Sequence, residues 1–241
     1  MDQVTLNTAQ NVNGAQCSLG QSRPNVDGTR PRIFLVSPAN LAGQRGRLLL
    51  GPASGSERAL RLRREGLPLG ELFSFVSGLY FRGKIEYARA FAKAPAGSPG
   101  VFVITSCRGL LPPDTLITLA DLREMTDVLI EPSDTWYRLP LERDARMISE
   151  VAGNECEIIL LGSIATPKYV GPLAAVLGER LLFPSEFVGR GDMSRGGLLL
   201  RCVRGEFELS YVPVATAVRR GRRPPKLSGV AKAPPPPQAT L

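Results

Sequence analysis

RIFLV (Arg32–Val36), VFVIT (Val101–Thr105) and EIILL (Glu157–Leu161) decide how this chain folds. Each is a nearly continuous apolar run of strand length, and each is followed by small or polar residues. That pattern suits strands buried on both faces rather than strands with one wet side. Helical patterns separate the three runs. Glu57–Arg64 follows the serines around Ser54–Ser56, and Leu69–Val76 follows Pro68. Lys84–Lys93 sets Ile85, Ala88, Phe91 and Ala92 on one face. Leu141–Val151 begins after Pro140, and Tyr169–Leu177 after Pro167. Strand, helix, strand, helix, strand in that order predicts an α/β fold, a largely parallel central sheet flanked by helices. Leu181–Phe183 reads as a further strand. Leu198–Val203 and Glu208–Val212, joined by Gly205, read as a C-terminal β hairpin on the sheet edge.

Outside the core the composition changes. Residues 1–30 are polar, rich in Asn and Gln and without periodicity, which predicts a disordered leader ahead of a single α/β domain over 31–216. Residues 217–241 form a basic, Pro-rich stretch expected to be disordered. The chain has 241 residues and a net charge of +8, and six basic residues with no acidic one lie from Thr216 onward, so the remainder is close to neutral. Arg219, Arg220, Arg222 and Arg223 make this tail a candidate for polyanion contact, weighed against a solubilising appendage. The first twenty residues lack a basic start and an apolar segment, and no apolar run approaches bilayer length. The expectation is therefore a cytoplasmic chain with no membrane contact.

The sequence contains no histidine, which removes Ser–His–Asp and Cys–His catalysis and imidazole ligation. Its four cysteines have no CxxC spacing, so no metal site and no cofactor are expected, and free thiols are.

In an open α/β sheet, ligands bind outside the carboxyl ends of the strands. Four such exits carry hydroxyls, glycines, prolines and charges. The first holds Ser37 and Asn40, the second Ser106, Cys107, Arg108 and Asp114, and the third Ser163 and Lys168. The fourth runs from Pro184 through Arg190, Asp192, Ser194 and Arg195 to Gly197. If the exits share one rim, Arg108, Lys168, Arg190 and Arg195 form a cationic pocket suited to a phosphate. GRGDMSRGG (Gly189–Gly197) reads as an anion-binding nest or as a Gly-rich hairpin. GLYFRGK (Gly78–Lys84) reads as a loop in which Tyr80 stacks a base or simply covers the core. Asp114 and Asp192 are the candidate catalytic carboxylates, with Glu186 beside them. Cys107, next to Arg108, is a weaker candidate for a nucleophile.

Two segments, SGLYFRGKIEYARAFA (Ser77–Ala92) and VFVITSCRGLLPPDTLIT (Val101–Thr118), resemble the pattern of small bacterial proteins of the YaaA-like group. The matching positions are Tyr80, Gly83, Ala88, Arg89, Ser106, Gly109, Leu110, Leu111, Pro113 and Asp114. The stretch Ile158–Leu173 resembles the group's next strand and helix, and RGDMSR (Arg190–Arg195) an Arg-Gly-x-Met-x-Arg stretch near its C-terminus. Over residues 77–200 the resemblance implies an α/β fold related to uracil-DNA-glycosylase-like proteins, with DNA association and a stress-protection role. Thr118–Asp121 stands where the group has a tyrosine-bearing motif, so fold and ligand class carry over better than glycosylase chemistry.

The expectation that follows is a nucleotide- or nucleic-acid-binding protein. If it is an enzyme, it cleaves an N-glycosidic bond using Asp114 or Asp192, with Arg108, Arg190 and Arg195 facing the anion. Two rivals stand beside it: a non-catalytic DNA-binding protein, and an interaction module whose Pro-rich tail is the ligand. Oligomeric state is not legible.

Overall fold

The computed structural model describes residues 30–51 and 55–225; the leader before residue 30 and the tail beyond Pro225 lie outside it. The three decisive runs are strands within a residue of their predicted bounds: β1 (Arg32–Val36), β3 (Val101–Ile104) and β6 (Glu157–Leu161). β1 pairs in parallel with β3 on one side and β6 on the other, and β7 (Leu181–Pro184) adds in parallel to β6. Short antiparallel strands, β4 (Leu110–Leu111) and β8 (Tyr211–Pro213), close the edges, giving the order β4-β3-β1-β6-β7-β8. Every residue of β1 is buried, so both faces of the sheet centre are covered, as an unbroken apolar run requires. β2 (Leu67–Pro68) and β5 (Leu116–Ile117) form a separate two-stranded pair.

The helices between them are α1 (Gln44–Leu50), α2 (Glu57–Arg64), α3 (Leu69–Ser77) and α4 (Leu79–Phe91) before β3. After it come α5 (Leu119–Asp127), α6 (Thr135–Ala152), α7 (Pro167–Leu177) and α8 (Asp192–Arg204). α4 lies on β1 and β3 and packs most extensively against α8, while α6 packs on α7 and β4.

Three expectations need correction. Leu198–Val203 is the second half of α8, so the antiparallel pair at the edge is β7 with β8 rather than a hairpin through Gly205. A six-residue stretch with five apolar residues fits a strand or a buried helix equally. Here Leu199, Leu200 and Cys202 face the core at helical spacing. The Gly78–Lys84 segment is not a loop: Leu79 onward is helix, with Tyr80, Phe81, Gly83 and Lys84 all buried. Helix α6 starts five residues before Pro140, because the Asp134 carboxylate caps the Trp136 amide at 2.8 Å, and it continues through the proline.

The turn after β3 depends on one residue. Gly109 has φ +63°, and a Cβ there would sit 2.1 Å from Asp144 Oδ2 and 2.7 Å from the Pro140 carbonyl. Asp144 in turn accepts from the Leu110 amide at 2.9 Å, fastening β4 to α6. Gly109→Ala is expected to lower stability by about 2 kcal/mol through backbone strain at this site, measured as a shift in denaturant midpoint.

Candidate functional site

The strand order reverses at β1, since the chain places β3 on one side of it and then returns to lay β6 on the other. Loops leaving two neighbouring parallel strands in opposite directions open a crevice at their carboxyl ends. A cavity of about 780 Å³ occupies that position. Ser37 and Asn40 enter it from the exit of β1, Ser106 from that of β3, and Ser163, Lys168 and Tyr169 from that of β6. Tyr80 on α4 and Asp192 at the first turn of α8 complete the polar wall. Phe73, Leu50, Met125, Val128 and Ile130, from α3, α1 and the end of α5, make the opposite wall apolar.

Seven residues singled out in the sequence thus meet: Ser37, Asn40, Tyr80, Ser106, Ser163, Lys168 and Asp192. Others do not. Arg108 is turned outward into a carboxylate clamp, 2.7 Å from Asp121 and also paired with Glu124 on α5. Asp114 is 80% exposed and ion-paired to Arg89 at 2.6 Å, outside the cavity. Arg190 folds back onto the Glu186 carbonyl at 3.0 Å and Ser194 Oγ at 3.2 Å. Arg195 donates to the Phe187 carbonyl at 3.0 Å and lies 5.2 Å from that ring's centroid. The predicted four-cation rim is therefore replaced by a smaller set, because three of the four guanidinium or ammonium groups find partners nearer to them. GRGDMSRGG is neither nest nor hairpin; Gly191 caps α8 and Asp192–Gly197 are its first turns. Cys107 is not favoured as a thiolate: burial and the Glu124 charge raise its pKa, outweighing its contacts with Ser106 and Arg108.

Two cations remain available at the cavity. Arg47 on α1 is exposed and has no ion pair or side-chain hydrogen bond among the described residues. Lys168 has no carboxylate partner among them either, and its ammonium rests 4.9 Å from the centroid of the Tyr169 ring. Arg47 escaped the sequence reading because QRGRLLL is short, holds a glycine and lacks a capping side chain, so α1 carries no helix signal.

The hydroxyls differ in what they are already doing. Ser106 Oγ donates to the Met125 carbonyl at 2.6 Å and so ties the β3 exit to α5. Ser163 Oγ accepts from the Ala165 amide, and Asn40 Oδ1 from the Ala42 amide at 3.0 Å, which leaves the Asn40 NH₂ as a donor. The Tyr80 hydroxyl is buried without a hydrogen-bond partner among the described residues. Burial pushes its pKa to about 12, with the nearby Arg195 guanidinium pulling it down and Asp192 pushing it up.

Beneath these residues lies a buried lysine. Lys84 is 1% exposed; its Nζ donates to the Ser37 carbonyl at 2.5 Å and Ser37 Oγ at 2.7 Å. It lies 4.5 Å from the centroid of the Tyr80 ring and 5.1 Å from that of Phe81. Desolvation lowers its pKa to about 7, against the pull of Asp192 and with the push of Arg195 and Lys168. The readable signal was a lysine in the middle of an apolar face, four residues after Tyr80 and four before Ala88.

What brings α8 over this point is a contact between two glycines. A Cβ on Gly83 would lie 2.8 Å from the Gly196 carbonyl oxygen, and one on Gly196 would lie 2.9 Å from the Leu79 carbonyl oxygen and from Tyr80 Cα. The two helix backbones touch there, and Asp192 and Arg195 are carried to the Tyr80–Lys84 face.

No helix among the described residues is long and apolar enough to cross a membrane. No family model matches this chain, and no curated protein and no solved structure shows significant similarity to it.

Proposed function

We propose that the cavity at the carboxyl ends of β1, β3 and β6 binds a mononucleotide or an organic phosphate of similar size. One observation carries the reading: Arg47 and Lys168, two cations without carboxylate partners among the described residues, line one cavity of about 780 Å³ that also has an apolar wall. That volume falls within the usual range for small-molecule sites, roughly 300–1,000 Å³. The cations suit the phosphate, and Phe73 with Met125 and Ile130 suits a base or another flat apolar group. The likeness to YaaA-like proteins points to the same ligand class. Cleavage of an N-glycosidic bond in such a ligand would have to draw on Asp192, the one carboxylate among the described residues that line the cavity, since Asp114 stands outside. The exposed Arg219, Arg220, Arg222 and Arg223 are a separate cationic stretch available to a nucleic-acid backbone.

Calorimetric titration with a nucleoside monophosphate and with the parent nucleoside tests the reading. The phosphate form is expected to bind more tightly, and Arg47→Gln and Lys168→Gln each to weaken it by about 10-fold, the worth of one charged hydrogen bond. Equal binding of nucleoside and nucleotide, or unchanged affinity in both variants, would refute it.

A further inference from the structure

Lys84 is the buried titratable group that anion binding does not use. Among the described residues its ammonium touches no carboxylate oxygen: both hydrogen-bond acceptors belong to Ser37, one of them the side-chain hydroxyl at 2.7 Å. Ser37 itself lines the cavity. A lysine enclosed with only neutral acceptors gives up its proton readily, and a neutral amine has one lone pair and two N–H donors. In that form the same contacts read differently: an N–H holds the Ser37 carbonyl and the lone pair receives the Ser37 hydroxyl proton.

We propose that Ser37 and Lys84 form a nucleophile–base pair that cleaves a carboxylic ester bound in the cavity. Ser37 Oγ forms a bond to the acyl carbon as its proton passes to Lys84 Nζ. The tetrahedral oxyanion then collapses, the bond to the leaving oxygen breaks, and Lys84 returns the proton to the departing alkoxide. Water attacks the acyl-serine with Lys84 again taking a proton. The carboxylic acid leaves, Ser37 regains its hydrogen, and the net reaction consumes one ester and one water. The Asn40 NH₂ and the Lys168 ammonium also line the cavity and are the donors the proposal assigns to the oxyanion. The arrangement needs no histidine, which this sequence lacks.

The groups facing Lys84 set its working range. Burial is the largest influence and favours the neutral amine, as do Arg195 from α8 and Lys168 in the first turn of α7; Asp192 from α8 favours the charged form, and the balance is a pKa of about 7. Tyr80 on its own helix stays protonated at neutral pH. From the other elements packed on α4, β3 offers no titratable side chain, Arg32 of β1 is paired with Glu157 and Glu208, and Glu71 of α3 is engaged by Arg61 at 3.1 Å. Because the base must be neutral, reactivity should rise with pH and level off once Lys84 has lost its proton.

The test uses a small alkyl phosphonofluoridate, which carries no nucleotide and so reports on the dyad independently of anion binding. The full chain should form a single adduct, mapped to Ser37 by peptide mass spectrometry and absent in Ser37→Ala. Its rate should inflect near neutrality and fall by about 100-fold in Lys84→Met, the scale of one general base. Circular dichroism establishes that each variant is folded. If Lys84→Met does not fold, the wild-type pH profile decides alone. Absence of an adduct on Ser37, or a labelling rate unchanged across the neutral range, would overturn the proposal while leaving the titration with nucleotide to stand or fall separately.

Discussion

Replacing Arg32 by alanine is expected to remove about 3–5 kcal/mol of stability, the usual loss when one partner of a buried ion pair is deleted. Arg32 begins β1 and is 4% exposed, yet two carboxylates depend on it: Glu157 of β6 at 2.8 Å and Glu208 before β8. Its guanidinium also lies 5.1 Å from the centroid of the Tyr211 ring. Tyr211 bonds to the Tyr87 hydroxyl at 2.6 Å, and that hydroxyl accepts from the Leu209 amide at 2.8 Å. The deletion would leave two carboxylates facing each other in a partly dried site, while the Tyr87 link to α4 loses its anchor. Urea unfolding of the variant measures the loss. A combined Arg32→Met, Glu157→Gln, Glu208→Gln chain should recover much of it, because the penalty lies in the stranded charges more than in the missing attraction. A single replacement costing under about 1 kcal/mol would mean that water reaches these carboxylates.

Gly196→Val is the second large effect. A Cβ at that position meets backbone atoms of Leu79 and Tyr80 at 2.9 Å, and backbone cannot swing aside as a side chain can. The helices must separate, at about 3 kcal/mol, the upper part of the usual range for overpacking. Asp192 and Arg195 would move away from Tyr80 with them, so nucleotide affinity should drop as well. Gly191→Ala, five residues earlier in open space at φ −79°, is the control and should cost no more than about 1 kcal/mol, the usual worth of an N-cap position. Equal melting temperatures for the two variants would show that α8 does not rest on α4 through Gly196.

The parallel sheet could be read from sequence because β1, β3 and β6 are buried on both faces, and burial on both faces writes itself as an unbroken apolar run. α8 could not. Two adjacent glycines, Gly196 and Gly197, argue against helix by propensity, and the reason for the first of them is Gly83, more than a hundred residues away in sequence. Local preference lost to tertiary contact. The cavity was partly legible: Ser37, Ser106 and Lys168 follow apolar runs, and strand exits of parallel sheets lie on one edge. Its charges were not, because whether an arginine is free depends on neighbours the sequence does not announce. Arg108 is taken by Asp121 and Glu124 from a helix that had not been foreseen, whereas Arg47, on another unforeseen helix, is left over. Lys84 was hidden for the opposite reason. A lysine is read as a surface residue by default, and only the apolar positions around it on α4 say otherwise.

The five residues of β1 separate two polar sites of unlike character, the Arg32 cluster at one end and Ser37 just past the other. A central strand with both neighbours parallel and no wetted face opens only when the whole molecule does. The seryl oxygen is consequently mounted on the least yielding part of the protein, and adjustment to an incoming molecule falls to the segments around Asn40 and Thr126, which are exposed. If Ser37 and Lys84 act as proposed, shape selection and bond chemistry fall to different pieces of chain, and the rim can vary its grip without disturbing the alignment of oxygen and amine beneath it.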